Sequence, residues 1–252
     1  MPAYYNEHDP YAAQWLRNLI AAGHIAAGDV DERSIEDVHP DDLKPYTQCH
    51  FFAGIGIWPL AMRRAGWPDE LSGWTGSCPC QPYSKAGKRE GFSDPRHLWP
   101  AWYHLIRERR PERILGEQSK DALSHGWFDL VQDNLEAAEY AFGAVRFAAA
   151  SCGEPILRER VYFAAQYLGA RAQGQQPGPH PCAPGQRRWR GEEDLFAIAA
   201  APLQPGDRWP QPLVRSMDHG YSQRMGGVHA IGNALNAEAA TQFVAAFLEA
   251  AA

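Results

Sequence analysis

The sequence predicts an α/β fold built on a mostly parallel, doubly wound sheet. Three features carry that expectation. A short strand at 47–52, expected to be buried, runs through a glycine turn, Ala53-Gly54-Ile55-Gly56-Ile57, into a helix at 58–65. Strand-like and helix-like segments then alternate as far as residue 165, the pattern of parallel strands joined by crossover helices. Residues 166–226 break the alternation. They are rich in Gly, Pro, Gln and Arg, and read as a small irregular lobe.

The elements follow in order. Asp9-Pro10 is a helix start, with Asp as cap and Pro at the first helical position, so a helix is expected over 11–22. A polar, acidic stretch occupies 28–38. After the strand, glycine turn and helix come a strand at 71–78, a helix at 98–109 and a strand at 113–117. A helix at 127–140 and strands at 144–149 and 160–165 complete the alternation. The Ala-rich segment 237–251 is a strong helix former.

Composition narrows the class without naming the chemistry. A chain of 252 residues suits one large domain, or one domain with a small lobe, and can bury a substantial core. No apolar run approaches the roughly 20 residues of a membrane span, and the first residues lack the build of a signal peptide. The five cysteines are odd in number and not clustered, so reduced thiols in a cytoplasm are expected. No His/Cys set has metal-ligand spacing, and none is expected to hold a metal. The net charge of −6 argues against a nucleic-acid coat protein but leaves room for one basic face.

Several motifs stand in a fixed order. Phe52-Ala53-Gly54-Ile55-Gly56 lies between a strand and a helix, where glycines let a backbone approach a ligand and aim helix N–H groups at it. Pro79-Cys80-Gln81 follows the next strand, with Ser84 soon after. Glu117-Gln118 closes another strand, Arg158-Glu159-Arg160 opens the last, and Gly232-Asn233-Ala234-Leu235-Asn236 precedes the final helix. In this order they resemble the DNA (cytosine-5) methyltransferases, over most of 47–165 and 227–250.

That resemblance implies a Rossmann-like methyltransferase sheet and transfer of a methyl group from S-adenosylmethionine to carbon 5 of cytosine in double-stranded DNA, at a short target sequence. It implies that Cys80 is the nucleophile, adding as thiolate to carbon 6 of a flipped base. Glu117 is expected to hold ring nitrogen N3, and Arg158 and Arg160 to steady the cytosine carbonyl. Cys78 is the better candidate for a plain buried thiol. Phe52, Ala53, Gly54, Ile55, Gly56, Ile57, Pro79, Asn233 and Ala234 are expected to line the cofactor. Gln81, Ser84, Lys85, Lys88, Arg89 and Arg96, on a loop hinged by glycines, would meet DNA, as would Arg187, Arg188 and Arg190 in the lobe. The expected organisation is a catalytic domain over 1–165, a target-recognition lobe over 166–226 and a returning segment over 227–252. A cytoplasmic monomer in a bacterial or phage-infected cell is expected.

The sequence also departs from the pattern. Ile57 stands where a second glycine is usual, Gln118 where Asn is usual, and Ile156 where Gln is usual. Between Gly56 and Pro79 there is no room for the strand–helix units that hold the cofactor's adenosine in the family. Upstream, Ser34-Ile35-Glu36-Asp37-Val38 resembles the missing segment. A permutation is therefore expected, in which 24–46 supplies the adenosine edge. Asp29, Asp31 or Glu32 would hold the ribose, with Asp69 or Glu70 as the competing choice, and Ser34 and Ile35 would border the adenine. Two rival functions remain open. One is carbon-5 modification with another one-carbon donor or polynucleotide, and the other is a non-catalytic DNA-binding relative.

Overall fold

The computed structural model describes residues 2–79, 98–153, 158–169 and 235–251. Seven strands form one sheet, in the order β2-β1-β3-β4-β5-β7-β6. They are β1 (Ala3–Asn6), β2 (Gly28–Asp31), β3 (Gln48–Phe51), β4 (Gly73–Gly76), β5 (Arg113–Ser119), β6 (Tyr140–Ala148) and β7 (Glu159–Tyr167). The first five are mutually parallel, while β7 runs against both of its neighbours, β5 and β6. The helices are α1 (Pro10–Ala21), α2 (Ile57–Arg64), α3 (Trp99–Arg109), α4 (Trp127–Ala137) and α5 (Ala237–Ala251).

The expected α/β sheet is present, with layers on both faces. On one face, α1 sets Leu16 against Tyr5, Ile25 and Ala53. Beside it, α2 and α5 pack together through Trp58, Met62, Ala240 and Val244 over Leu115 and Tyr162. The opposite face holds Trp99, Trp102, Trp127 and Phe128 of α3 and α4 against Phe51, Trp74, Ile114 and Phe163. Each buried tryptophan contributes about 3–5 kcal/mol against truncation to alanine, because the cavity left behind cannot close.

Two strands lie where none was expected, β1 ahead of the first helix and β2 in the polar, acidic stretch. β1 is four residues long and wholly buried, and β2 is a polar edge strand in register with it. From β1 the chain passes through α1 to the edge. From β3 it passes through α2 and β4 in the other direction. The order of strands therefore reverses between β1 and β3. In open α/β sheets the crevice beyond the strand ends at such a switch point is where ligands bind.

Candidate functional site

The glycine turn closes over the end of β1. Ala53 donates its backbone N–H to Asn6 O at 3.0 Å, which draws the exit of β3 across its neighbour. Phe52, Gly54 and Gly56 all take left-handed φ, at 51°, 54° and 79°. For Phe52 that conformation is strained by roughly 1–2 kcal/mol; its ring packs edge-on against Trp102. Among the described residues a Cβ on Gly54 would meet nothing within 4 Å, which leaves the turn an open cradle on that side. Ile57, where a second glycine is usual, starts α2 and packs with the Trp58–Met62 core, which removes its bulk as an obstacle to that cradle.

Glu7 lies across the switch point. Its Oε2 accepts the Gly54 N–H at 2.7 Å and its Oε1 accepts the Asp9 N–H at 2.9 Å. A carboxylate offers about four acceptor positions, so each oxygen keeps a free lone pair. No motif marks Glu7 in the sequence. Its signal is positional: Tyr5-Asn6-Glu7 ends a strand just before the capped start of α1, repeating the strand–turn–helix layout of 48–64.

Asp29, Asp31 and Glu32 are engaged away from the turn. Asp31 accepts the Tyr4 hydroxyl at 2.7 Å and the Arg33 guanidinium at 2.7 Å, and Arg33 also binds Asp42. Burial opposes ionisation of Asp31, but the bonds from Arg33 and Tyr4 outweigh it and hold the carboxyl below its usual range. Asp29 accepts the Tyr46 hydroxyl, and Glu32 pairs with Arg17. These side chains line an open groove on the edge of the sheet, with Tyr4, Val30 and Asp42. Asp69 pairs with Arg63 beyond the far end of α2, and Glu70 follows it, away from the glycine turn. Ser34 caps a short 3₁₀ turn, Ile35–Asp37, with Ile35 buried. Asn6 donates to Arg33 O at 2.9 Å and His8 bonds Glu32 O at 3.0 Å, so the 32–35 segment is tied to the exit of β1.

A second set of groups gathers at the ends of β4 and β5. Gly76 pairs with Gly116, which brings Ser77 and Cys78 alongside Glu117 and Gln118. Glu117 is buried and Arg160 Nε meets its Oε1 at 2.7 Å. Burial raises the Glu117 carboxyl above its usual range, and Arg160, a hydrogen bond from Ser77 and Arg158 offset this only in part. Burial, then the like charge of Arg160, lowers Arg158. Gln118 Nε2 donates to Cys78 O at 3.1 Å and its Oε1 accepts Ser119 N–H at 2.9 Å. The longer Gln thus ties the exit of β4 to the end of β5. Pro79 is exposed directly after Cys78. Glu117 lies inside the strand and not at its end, because pairing with β7 carries β5 on to Ser119.

Cys80, Gln81, Ser84, Lys85, Lys88, Arg89 and Arg96 lie outside the described residues, as do Arg187, Arg188, Arg190, Asn233 and Ala234. Among the described residues no group of three His, Cys, Asp or Glu could hold a metal ion, and no helix is long and apolar enough to cross a membrane.

With this geometry in view, a family model described as C-5 cytosine-specific DNA methylase matches residues 65–181. That stretch spans β4 to β7 and includes Glu117, Arg158 and Arg160. The chain is 36% identical over 92 residues to the type II methyltransferase M1.ScrFI of Lactococcus lactis subsp. cremoris, covering 35% of this chain and 24% of that protein. It is 33% identical over 89 residues to M.HhaI of Haemophilus parahaemolyticus, covering 34% and 27%. The matched stretch is about a quarter of the length of these relatives. Among solved structures, Spodoptera frugiperda DNMT2 aligns with a TM-score of 0.46 at 16% identity, covering 69% of this chain and 45% of that one.

Proposed function

We propose that this chain, which belongs to the C-5 cytosine-specific DNA methylase family, transfers a methyl group from S-adenosylmethionine to carbon 5 of cytosine in double-stranded DNA. One observation carries the reading. The buried Glu117 carboxylate, held by Arg160, stands beside the β4 exit that leads through Pro79 into Cys80. A nucleophile and an acid that handle the same ring need that adjacency.

The chain's own residues divide the work. Cys80, as thiolate, adds to carbon 6 and makes carbon 5 enamine-like and nucleophilic. Glu117, whose affinity for a proton is raised by burial, hydrogen-bonds ring nitrogen N3 and gives up its proton as charge develops there. Arg158 and Arg160 stabilise the negative charge growing on the cytosine carbonyl. After transfer, water takes the proton from carbon 5, the carbon–sulfur bond breaks with its electron pair on Cys80 as thiolate, and N3 returns its proton to Glu117, which restores the aromatic ring. The target carbon is inaccessible in a stacked duplex, so the base must be flipped out. Gln81, Ser84, Lys85, Lys88, Arg89, Arg96, Arg187, Arg188 and Arg190 are the proposed DNA contacts.

The switch-point residues fit the cofactor. The open cradle at Gly54 admits close backbone approach, and the free lone pairs of Glu7 suit a ribose diol. S-adenosylmethionine bound there supplies an electrophilic methyl group. Phe52 to Ile57 and Pro79 border it, Ser34 and Ile35 flank the adenine, and Asn233 and Ala234 close the pocket. The adenosine edge is thus a permuted one, built from β1, α1 and β2 ahead of the glycine turn. Glu7 takes the ribose role in place of Asp31 and Glu32, whose carboxylates are held by arginines.

The catalytic assignment is tested with DNA carrying 5-fluorocytosine, which cannot lose its carbon-5 substituent and so traps the enzyme. The wild-type chain with S-adenosylmethionine should form a covalent adduct on denaturing gels, and Cys80→Ser should form none. No wild-type adduct would overturn the assignment.

A further inference from the structure

We infer that Trp58 and Ser77 are positioning residues for Glu117, forming a relay in which the indole fixes the serine hydroxyl and the hydroxyl fixes the carboxylate. The inference rests on the reading of Glu117 as the group that handles the target cytosine.

Trp58 Nε1 donates to Ser77 Oγ at 3.0 Å. An indole N–H can only donate, and a serine hydroxyl carries a single proton. With a lone pair of Ser77 occupied by Trp58, that proton is free to point at an acceptor, and Glu117 lies alongside, one position beyond the Gly76–Gly116 pair. The direction of the chain is therefore set by its first member. Ser77 donates to the ionised form of Glu117 and favours it, against the burial that favours the protonated form.

The packing keeps the relay in place. Trp58 stands edge-on to Tyr162, at 6.3 Å, and to Phe243 of α5, at 6.4 Å. Tyr162 is the register partner of Glu117. Ser77 follows Gly76, whose partner across the ladder is Gly116, next to Glu117. Among the described residues, the groups facing Glu117 are Ser77 from the exit of β4, Arg160 and Tyr162 from β7, and Arg158 just ahead of β7. Ser77 is the uncharged member of this set that is oriented by a further side chain.

The relay also joins the two halves of the site. Gly56 is the N-cap of α2 and Trp58 lies in its first turn.

The test titrates Glu117 directly, by the carboxylate carbon-13 shift in protein labelled at glutamate, in wild type, Ser77→Ala, Ser77→Thr and Trp58→Phe. Ser77→Ala and Trp58→Phe should raise the apparent pKa of Glu117, and Ser77→Thr, which keeps the hydroxyl, should restore it. In methyl transfer to duplex DNA, Ser77→Ala should lower kcat roughly tenfold, the effect of one lost hydrogen bond to a charged group. KM for DNA should stay near wild type, and the limb of the pH profile set by Glu117 should move to higher pH. An unchanged Glu117 titration in Ser77→Ala overturns the relay, whatever happens to the rate. A shifted titration in a wild-type chain that transfers no methyl supports the relay and overturns the cytosine reading instead.

Discussion

The Glu7 carboxylate accepts the backbone N–H of Gly54 at 2.7 Å, across the crevice where the order of strands reverses. One contact thus joins the end of β1 to the glycine turn after β3. It brings together residues 47 positions apart in the chain. The proposed permuted adenosine edge places the acidic partner of the ribose here.

Binding of S-adenosylhomocysteine, followed by calorimetry, should weaken about 10–100-fold in Glu7→Ala, from lost charge-assisted hydrogen bonds to the ribose. Glu32→Ala should bind like wild type, because that carboxylate serves Arg17. Wild-type binding by Glu7→Ala would remove the support for a permuted adenosine edge.

Gly56→Ala should lower stability by about 1–2 kcal/mol, from the left-handed backbone alone. A Cβ there would also approach Leu19 Cδ1 to 2.9 Å and Leu16 Cδ2 to 3.1 Å, so the ends of these two side chains have to shift. Urea denaturation measures the loss, and cofactor affinity should fall with it. An unchanged unfolding midpoint would contradict the geometry of the turn.

His50 gives the fold a pH dependence. It is fully buried in β3, bonds Thr75 Oγ1 through Nδ1 at 2.8 Å and stacks on Tyr5. Burial lowers its pKa from 6.5 to about 3. The folded state binds the proton less well than the unfolded chain. The stability of this neutral group is therefore complete above about pH 6.5 and is lost as pH falls toward 3. One proton gives a slope of up to about 1.4 kcal/mol per pH unit. His50→Phe, which keeps a ring against Tyr5, should flatten the dependence between pH 6 and 4 by about that slope. Equal slopes in the two proteins would rule this out.

Gln118→Ala should cost about 2 kcal/mol, since it removes two hydrogen bonds, from the Gln118 amide to the Cys78 carbonyl and from the Ser119 N–H to Gln118. Gln118→Asn, one methylene shorter, should recover only part of this. Chemical denaturation reads both, and a wild-type midpoint in Gln118→Ala would show that the tie between the strand ends is dispensable.

Much of this arrangement was legible in the residues. The strand, glycine turn and helix at 48–64 were marked by two glycines between a strand-like and a helical segment, and Glu117 by the resemblance of Glu117-Gln118 to the family's Glu-Asn pair. The edge of the sheet was not. β1 is only Ala-Tyr-Tyr-Asn, too short to show a period, and β2 is Gly-Asp-Val-Asp, whose aspartates face an open groove. Such strands are fixed by their neighbours and not by their own composition. The antiparallel β7 was hidden for a similar reason, because alternation along one strand carries no direction. The helix expected to reach residue 140 stops at Ala137, where Glu139 turns into a left-handed conformation and Tyr140 begins β6. Acidity alone does not single out one carboxylate at 29–32. Only the three-dimensional pairing distinguishes them, Asp31 with Arg33, Glu32 with Arg17 and Asp29 with the Tyr46 hydroxyl.

The most direct test of the account is the mass of a cytosine-containing duplex after incubation with the purified chain and S-adenosylmethionine. The account predicts a gain of one methyl group, located on carbon 5 of cytosine by bisulfite sequencing and absent with Cys80→Ser. An unmodified duplex, or a gain of any other mass, would contradict it.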